Sequence, residues 1–204
     1  MSNPLGQVSG LAGVAEPGHF GKADGTPGVQ LSERIGLGLA TVASRKGQSE
    51  ALKRKVRKAY GVDLPDRSII VQGPAVSFVG TGPGQWLAVS ASLKHDALAR
   101  DLAKRLKGLA SVSDQSDGRS VIRVSGPRAR DVLAKGLPID LDPRTFPANG
   151  AATSVISLMG VQLWQVDDTP TYDIAVFRSL SGSFWRWLTA SAAEFGYEVA
   201  AARA

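Results

Sequence analysis

Apolar residues recur along this chain with two spacings, near two and near 3.6 residues, and the changes between them mark its elements. Alternating or β-branched runs predict strands over residues 34–43, 75–79, 85–90, 121–124, 155–158, 161–166 and 172–178. In the last of these, Tyr172, Ile174 and Val176 share one side, and Ala175 and Phe177 the other. Helical spacing predicts 48–60, with Leu52, Val56 and Ala59 on one face. It also predicts 95–107, where Leu98, Leu102 and Leu106 recur four apart. A third helix carries Ala129, Val132 and Leu133. A fourth begins near Ser183, with Trp185, Leu188, Ala192 and Phe195 as its core stripe. Phe184 and Trp187 project away from that stripe, so at least one of them is assigned to a partner contact; the competing reading buries the whole helix in its own domain.

Turn and cap residues punctuate these runs. Asp117-Gly118, between two alternating segments, is the dipeptide of a tight hairpin that needs positive φ. Ser125 or Gly126 caps the third helix, Pro127 sits in its first turn, and Gly136 closes it from the left-handed position. Ser49 and Gly61 bracket the first helix, and a break at Gly160 separates two strands. The glycine-rich stretch Thr81-Gly82-Pro83-Gly84 joins strand to strand. A phosphate loop would instead open a helix and carry Lys-Ser/Thr or a GxGxxG pattern, so this is a hairpin turn.

A weak repeat divides the chain. Strand, helix and the Gly61 to Pro65 exit parallel a later strand, helix and the Gly136 to Pro143 exit, and the hairpin and helix near Trp86 and His95 parallel those near Tyr172 and Ser183. The expected fold is α+β: duplicated β-α-β-β-α-β units with mainly antiparallel sheets, each covered by helices on one face. Residues 1–30, rich in glycine, proline and small side chains, carry too little apolar surface for a core. They read either as a tail or as an extended arm lying on another subunit. Residues 31–204 then form the domain, in halves of about 31–112 and 113–204.

Three segments, taken in order, resemble a known family. They are SDQSDGRSVIRVSGPRARDVLAKGLPIDLDPRTFP at 113–147, GTGPGQWL at 80–87, and Phe177-Arg178-Ser179 followed by SFWRWL at 183–188. Together they resemble the gamma subunit of heterotetrameric sarcosine oxidase, from about Glu33 to the C-terminus. The resemblance implies a fold like the folate-binding domain of the glycine-cleavage T protein, an aminomethyltransferase. It implies alpha, beta and delta subunits as partners, in an assembly that oxidatively demethylates sarcosine to glycine, formaldehyde or methylene-tetrahydrofolate, and hydrogen peroxide. It implies further that FAD, covalent FMN, NAD, tetrahydrofolate and zinc belong to the other subunits, with no cofactor bound by this chain. It also favours the arm over the tail for residues 1–30.

Composition narrows the chemistry. With no cysteine, disulfides, thiolate catalysis and Cys-based zinc or iron–sulfur sites are excluded, and His19 and His95 alone cannot make a histidine-rich metal site. No run approaches the about 18 apolar residues of a membrane span, and no basic-then-apolar leader is visible, so a cytoplasmic protein is expected. Lys and Arg number 24 against 18 Asp and Glu, a surplus that biases encounters toward acidic partners but falls short of a nucleic-acid-binding tail. Lys53, Arg54, Lys55, Arg57 and Lys58 read as a solvated helix face; docking of an acidic subunit or a polyglutamylated folate tail is the sharper reading.

No catalytic, cofactor-binding or metal-ligating residue is assigned. Asp114, Asp117, Asp131, Asp140 and Asp142 each have a local use in a turn, a first helical turn or a loop. Arg119, Arg123, Arg128 and Arg130 are candidates for an anion near Gly126-Pro127, with salt bridges the commoner outcome, and His95 reads as a surface or capping residue. The expected function is a non-catalytic structural subunit of sarcosine oxidase. A stand-alone folate-dependent aminomethyltransferase-like protein is the alternative, against which the missing C-terminal barrel counts. A folate-fold protein of iron–sulfur or RNA metabolism comes third, weakened by the absent cysteine motif.

Overall fold

The computed structural model describes residues 8–22 and 25–201. The first half runs β1 (Gly18–Phe20), β2 (Val29–Arg34), β3 (Gly38–Ser44), α1 (Ser49–Tyr60), β4 (Ile70–Val71), β5 (Ser77–Gly82), β6 (Gln85–Ser90), α2 (Asp96–Arg105) and β7 (Ala110–Asp114). The second runs β8 (Arg119–Ser125), α3 (Ala129–Ala134), β9 (Ala151–Ile156), β10 (Met159–Gln165), β11 (Tyr172–Phe177), α4 (Ser181–Ala192) and β12 (Tyr197–Val199). Among the described residues no helix is long and apolar enough to cross a membrane.

These strands make a seven-stranded sheet, β1-β12-β2-β8-β11-β10-β9, and a five-stranded sheet, β4-β5-β6-β3-β7. Their pairings are antiparallel except that of β12 with β2. Strand parity sets the layers, because alternate side chains enter different cores. Ile122 and Val124 of β8 and Ile174 and Val176 of β11 pack with α3 and α4 residues, whereas Val121 and Ala175 join a separate cluster. Ala40 and Val42 of β3 pack with α1 and α2 residues, whereas Leu39 joins that same separate cluster. The shared cluster draws on both sheets, so they pack face to face with a helix pair outside each, an α+β sandwich of four layers.

The order β-α-β-β-α-β occurs twice, as β3-α1-β5-β6-α2-β7 and as β8-α3-β10-β11-α4-β12. The two copies differ in how their last strand joins the sheet. In the smaller sheet β3 pairs directly with β7, whereas in the larger one β2 lies between β8 and β12. Leu31 of β2 pairs opposite Val124 and beside Val199, with both Val29 and Leu31 fully buried.

That placement corrects the reading of residues 1–30 as an arm that adds nothing to the fold. A boundary at residue 30 cuts β2, and Leu11, 1% exposed, lies in the core beneath the larger sheet. The backbone N–H of Gly28 donates to the carbonyls of Phe195 and Gly196, and β1 pairs with β12. Leu11, Val29 and a few backbone ladders anchor a segment whose average composition is that of a tail.

Two turns also differ from expectation. Gln115 to Gly118 is a crossover, not a hairpin: β7 pairs with β3 in one sheet and β8 with β2 and β11 in the other. The turn is tied to the smaller sheet, with Gln115 N–H donating to Leu39 O and Leu39 N–H to Ser116 Oγ. The β9–β10 hairpin turns at Ser157 and Leu158, both at positive φ (47° and 71°), rather than at Gly160, which pairs with Val155.

The last helix corrects the assignment of Phe184. α4 starts at Ser181 and ends at Ala192, so its buried stripe runs Ser181, Phe184, Trp185, Leu188, Ser191 and Ala192. Phe184 is therefore in the chain's own core, at 0% exposure, and not at the surface. Trp187 is half-buried, its ring 5.8 Å from that of Phe184.

Candidate functional site

The strand YDIAVF (β11) contains one charged residue, and parity decides where it points. Tyr172, Ile174 and Val176 face the helices, so Asp173 faces the opposing sheet. Its side chain is 4% exposed, and the ladder places Arg123 of β8 directly opposite. Arg123 donates from Nε to Oδ1 at 2.7 Å and from Nη2 to Oδ2 at 2.8 Å; Arg34, at the end of β2, donates from Nη1 to Oδ2 at 3.0 Å. The insertion of β2 beside β8 is what brings Arg34 here.

This trio borders a cleft of about 340 Å³ between the sheets, which Gln72, Ser90 and Trp164 also line. Burial lowers the Arg34 pKa, with Asp173 opposing that shift and Arg123 reinforcing it. The hydrogen bonds to Asp173 raise the Arg123 pKa. Three hydrogen bonds from two guanidinium groups already occupy the Asp173 carboxylate. The cluster is suited to positioning strands, and offers no nucleophile or free base.

The residues singled out from sequence do not converge on it. Asp114 accepts from the N–H and Oγ of Ser116, Asp131 pairs with Arg128 at 3.2 Å, and Asp142 pairs with Arg144 at 2.8 Å. Asp140 accepts from the Asp142 N–H, and Asp117 sits in the exposed crossover turn. Of the four arginines proposed around Gly126-Pro127, only Arg123 reaches the buried carboxylate. Arg130 donates to Tyr172 Oη at 3.0 Å, Arg128 lies over the Phe195 ring, and Arg119 over that of Phe177. Asp173 and Arg34 were missed, although a lone charge in an otherwise apolar strand was visible. On α1, Lys53 pairs with Glu50 and Asp66, and Arg57 with Asp63, as on a solvated face. Among the described residues, no group of three or more His, Cys, Asp or Glu is placed to hold a metal ion.

Comparison with known proteins agrees with this picture. Residues 46–194 match the model of the sarcosine oxidase, gamma subunit family. The chain is 33% identical over 144 residues to the sarcosine oxidase subunit gamma of Corynebacterium sp. strain P-1, covering 69% of this chain and 70% of that one. With the same subunit from Corynebacterium sp. strain U-96 it shares 32% identity over 164 residues, 78% and 75% of the two chains. Among solved structures it resembles a chain of the heterotetrameric sarcosine oxidase from Corynebacterium sp. U-96, with a TM-score of 0.77 and 26% identity, over 93% of this chain and 96% of that one. A glycine cleavage system aminomethyltransferase T from Bartonella henselae matches with a TM-score of 0.57 and 15% identity, over 85% of this chain but 47% of that one, a likeness of fold. The chain belongs to the sarcosine oxidase gamma subunit family.

Proposed function

We propose that this chain is the gamma subunit of a cytoplasmic heterotetrameric sarcosine oxidase, assembled with alpha, beta and delta subunits, and that it takes part in the assembly without taking part in the oxidation. The observation that carries this reading is the match over 93% of the chain to a member of the heterotetrameric enzyme. The polar interior supports it, since the Asp173 carboxylate is already held by Arg34 and Arg123. Exposed apolar residues support it too. Leu158, at the tip of the β9–β10 hairpin, is 96% exposed, with Val155 beside it and Phe177 at the end of β11. Such residues fit a protein that is covered by partners. Of the two aromatics assigned from sequence, Trp187 is the one we place at a subunit contact.

The holoenzyme's FAD, covalent FMN, NAD, tetrahydrofolate and zinc are assigned to the other subunits. For tetrahydrofolate the cleft between the sheets is a poor fit. A pterin ring presents several N–H donors and needs a free acceptor, whereas the Asp173 carboxylate already accepts three hydrogen bonds from two arginines. The aminomethyltransferase-like alternative is not favoured, because that likeness carries the fold alone.

The test is co-expression of the tagged chain with alpha, beta and delta subunits, followed by native mass measurement. A single flavin-containing complex with one copy of this chain is expected. Recovery of the tagged chain free of the other three would refute the reading.

A further inference from the structure

Where β2, the approach to β3 and the crossover turn meet lies a second cavity, of about 240 Å³ and partly open to solvent. Its floor is apolar, formed by Leu37, Leu39 and Val121. Its walls carry Arg34, Lys94, Arg119 and Arg178 against one carboxylate, Glu33, which accepts a hydrogen bond from Ser9 Oγ. Arg34 is paired with Asp173, and Arg178 donates to the Val8 carbonyl. Among the described residues two polar atoms here lack any such partner: Arg119 Nε and His95 Nδ1 are both buried without a hydrogen bond.

An unpaired buried polar atom is destabilising, more so in a charged group, so proteins seldom retain one without a use. Arg119 is held over the Phe177 ring, 4.6 Å from its centroid, which fixes the guanidinium without engaging Nε. Burial lowers its pKa, as expected of a cation desolvated with no counter-charge. His95 is held at φ 53°, ψ −141° ahead of α2, a backbone conformation costly for a residue with a side chain. Both residues line this cavity.

We propose that this cavity binds a small organic acid, its carboxylate taken by the Arg119 guanidinium and the His95 imidazole and its apolar part resting on Leu37, Leu39 and Val121. A carboxylate suits a planar guanidinium fork, and an inorganic ion would gain nothing from the apolar floor. Glu33 in the wall raises the cost of a dianion such as phosphate. The volume lies below the about 300–1,000 Å³ of sites for drug-sized ligands, which restricts the occupant to a small molecule. Val8, Ser9 and Gly10 form part of the wall, tied down by Arg178 and by the Ser181 Oγ bond to the Gly10 carbonyl, so the space suits a molecule better than an inserted chain. The site does not depend on the subunit assignment.

The test is calorimetric titration of the full-length chain with benzoate, with benzamide as a control of the same shape without charge, and with inorganic phosphate. Saturable binding of benzoate alone is expected. Arg119→Gln should weaken it about tenfold or more, with unchanged circular dichroism, and Arg119→Lys should fall between. Benzoate should also bind the assembled heterotetramer. Benzoate that binds no better than benzamide overturns the proposal, as does phosphate binding more tightly. So does binding that both substitutions leave unchanged, or that disappears in the heterotetramer because a neighbouring subunit fills the space.

Discussion

Gly136 and Trp187 meet so closely that a Cβ on residue 136 would lie 2.6 Å from Cζ2 of the indole. Gly136 is not among the glycines with positive φ, so what it supplies is space and not conformational freedom. The expected outcome for Gly136→Ala is a loss of about 1–3 kcal/mol from overpacking. Adding Trp187→Phe should recover part of that loss, because the smaller ring relieves the contact. Thermal melting of the single and double variants checks this, and purely additive losses would show that the two residues are not coupled.

Asp173 joins three strands through two arginines, and the loss of its charge should be felt in proportion. Removing one partner of a fully buried pair costs about 3–5 kcal/mol. Here Arg34 and Arg123 keep 19% and 30% of their side-chain surface, so Asp173→Asn is expected to cost less, about 2–3 kcal/mol. Arg123→Met should cost more than Arg34→Met, since Arg123 makes two of the three hydrogen bonds. Urea denaturation of the three variants gives the order.

Leu11 tests the correction made to the N-terminal segment. Its side chain is 1% exposed within the core, whereas Val8, three residues earlier, is 61% exposed. Leu11→Ala is expected to cost about 2–5 kcal/mol, and Val8→Ala close to nothing. Equal melting temperatures for the two would return the segment to the status of a tail.

How far the sequence revealed this structure depended on the range of the interaction. The four helices and the strands β3, β5, β6, β8, β10 and β11 were legible, because their apolar periods are local, whereas the short β1, β4 and β12 and the inserted β2 were not. Gly61, at φ 68°, ends α1 as its position implied. On α4 the expected stripe of Trp185, Leu188 and Ala192 is buried, but Phe184 joins it, Phe195 lies in a 3-10 turn beyond the helix, and Ser181, too small to register as apolar, opens the buried face. The crossover at Asp117-Gly118 looked like a hairpin because nothing local records which sheet a strand joins. Arg34 reaches Asp173 across 139 residues of sequence only because β2 inserts beside β8, a topological fact that no spacing encodes.

Tyr60 donates its hydroxyl to Asp101 Oδ2 at 2.8 Å, and burial, followed by that hydrogen bond, pushes its pKa well above the usual tyrosine range. Unfolded tyrosine ionises near about pH 10. A raised folded-state pKa means that this stabilisation is fully present below about pH 10 and is lost as pH climbs from there toward the folded value. Melting temperature should therefore fall above about pH 10, and Tyr60→Phe should make that fall shallower. Part of the slope should remain, because burial raises the Tyr172 pKa as well. An unchanged alkaline slope in Tyr60→Phe would contradict the assignment.

In the proposed assembly this chain belongs to the oxidase without performing its chemistry. The most direct measurement compares flavin absorbance and sarcosine-dependent hydrogen peroxide production in the purified chain and in the co-purified four-subunit complex. The expected result is a colourless, inactive chain and a yellow, active complex that contains it. A purified chain that carries flavin or oxidises sarcosine by itself would contradict the claim.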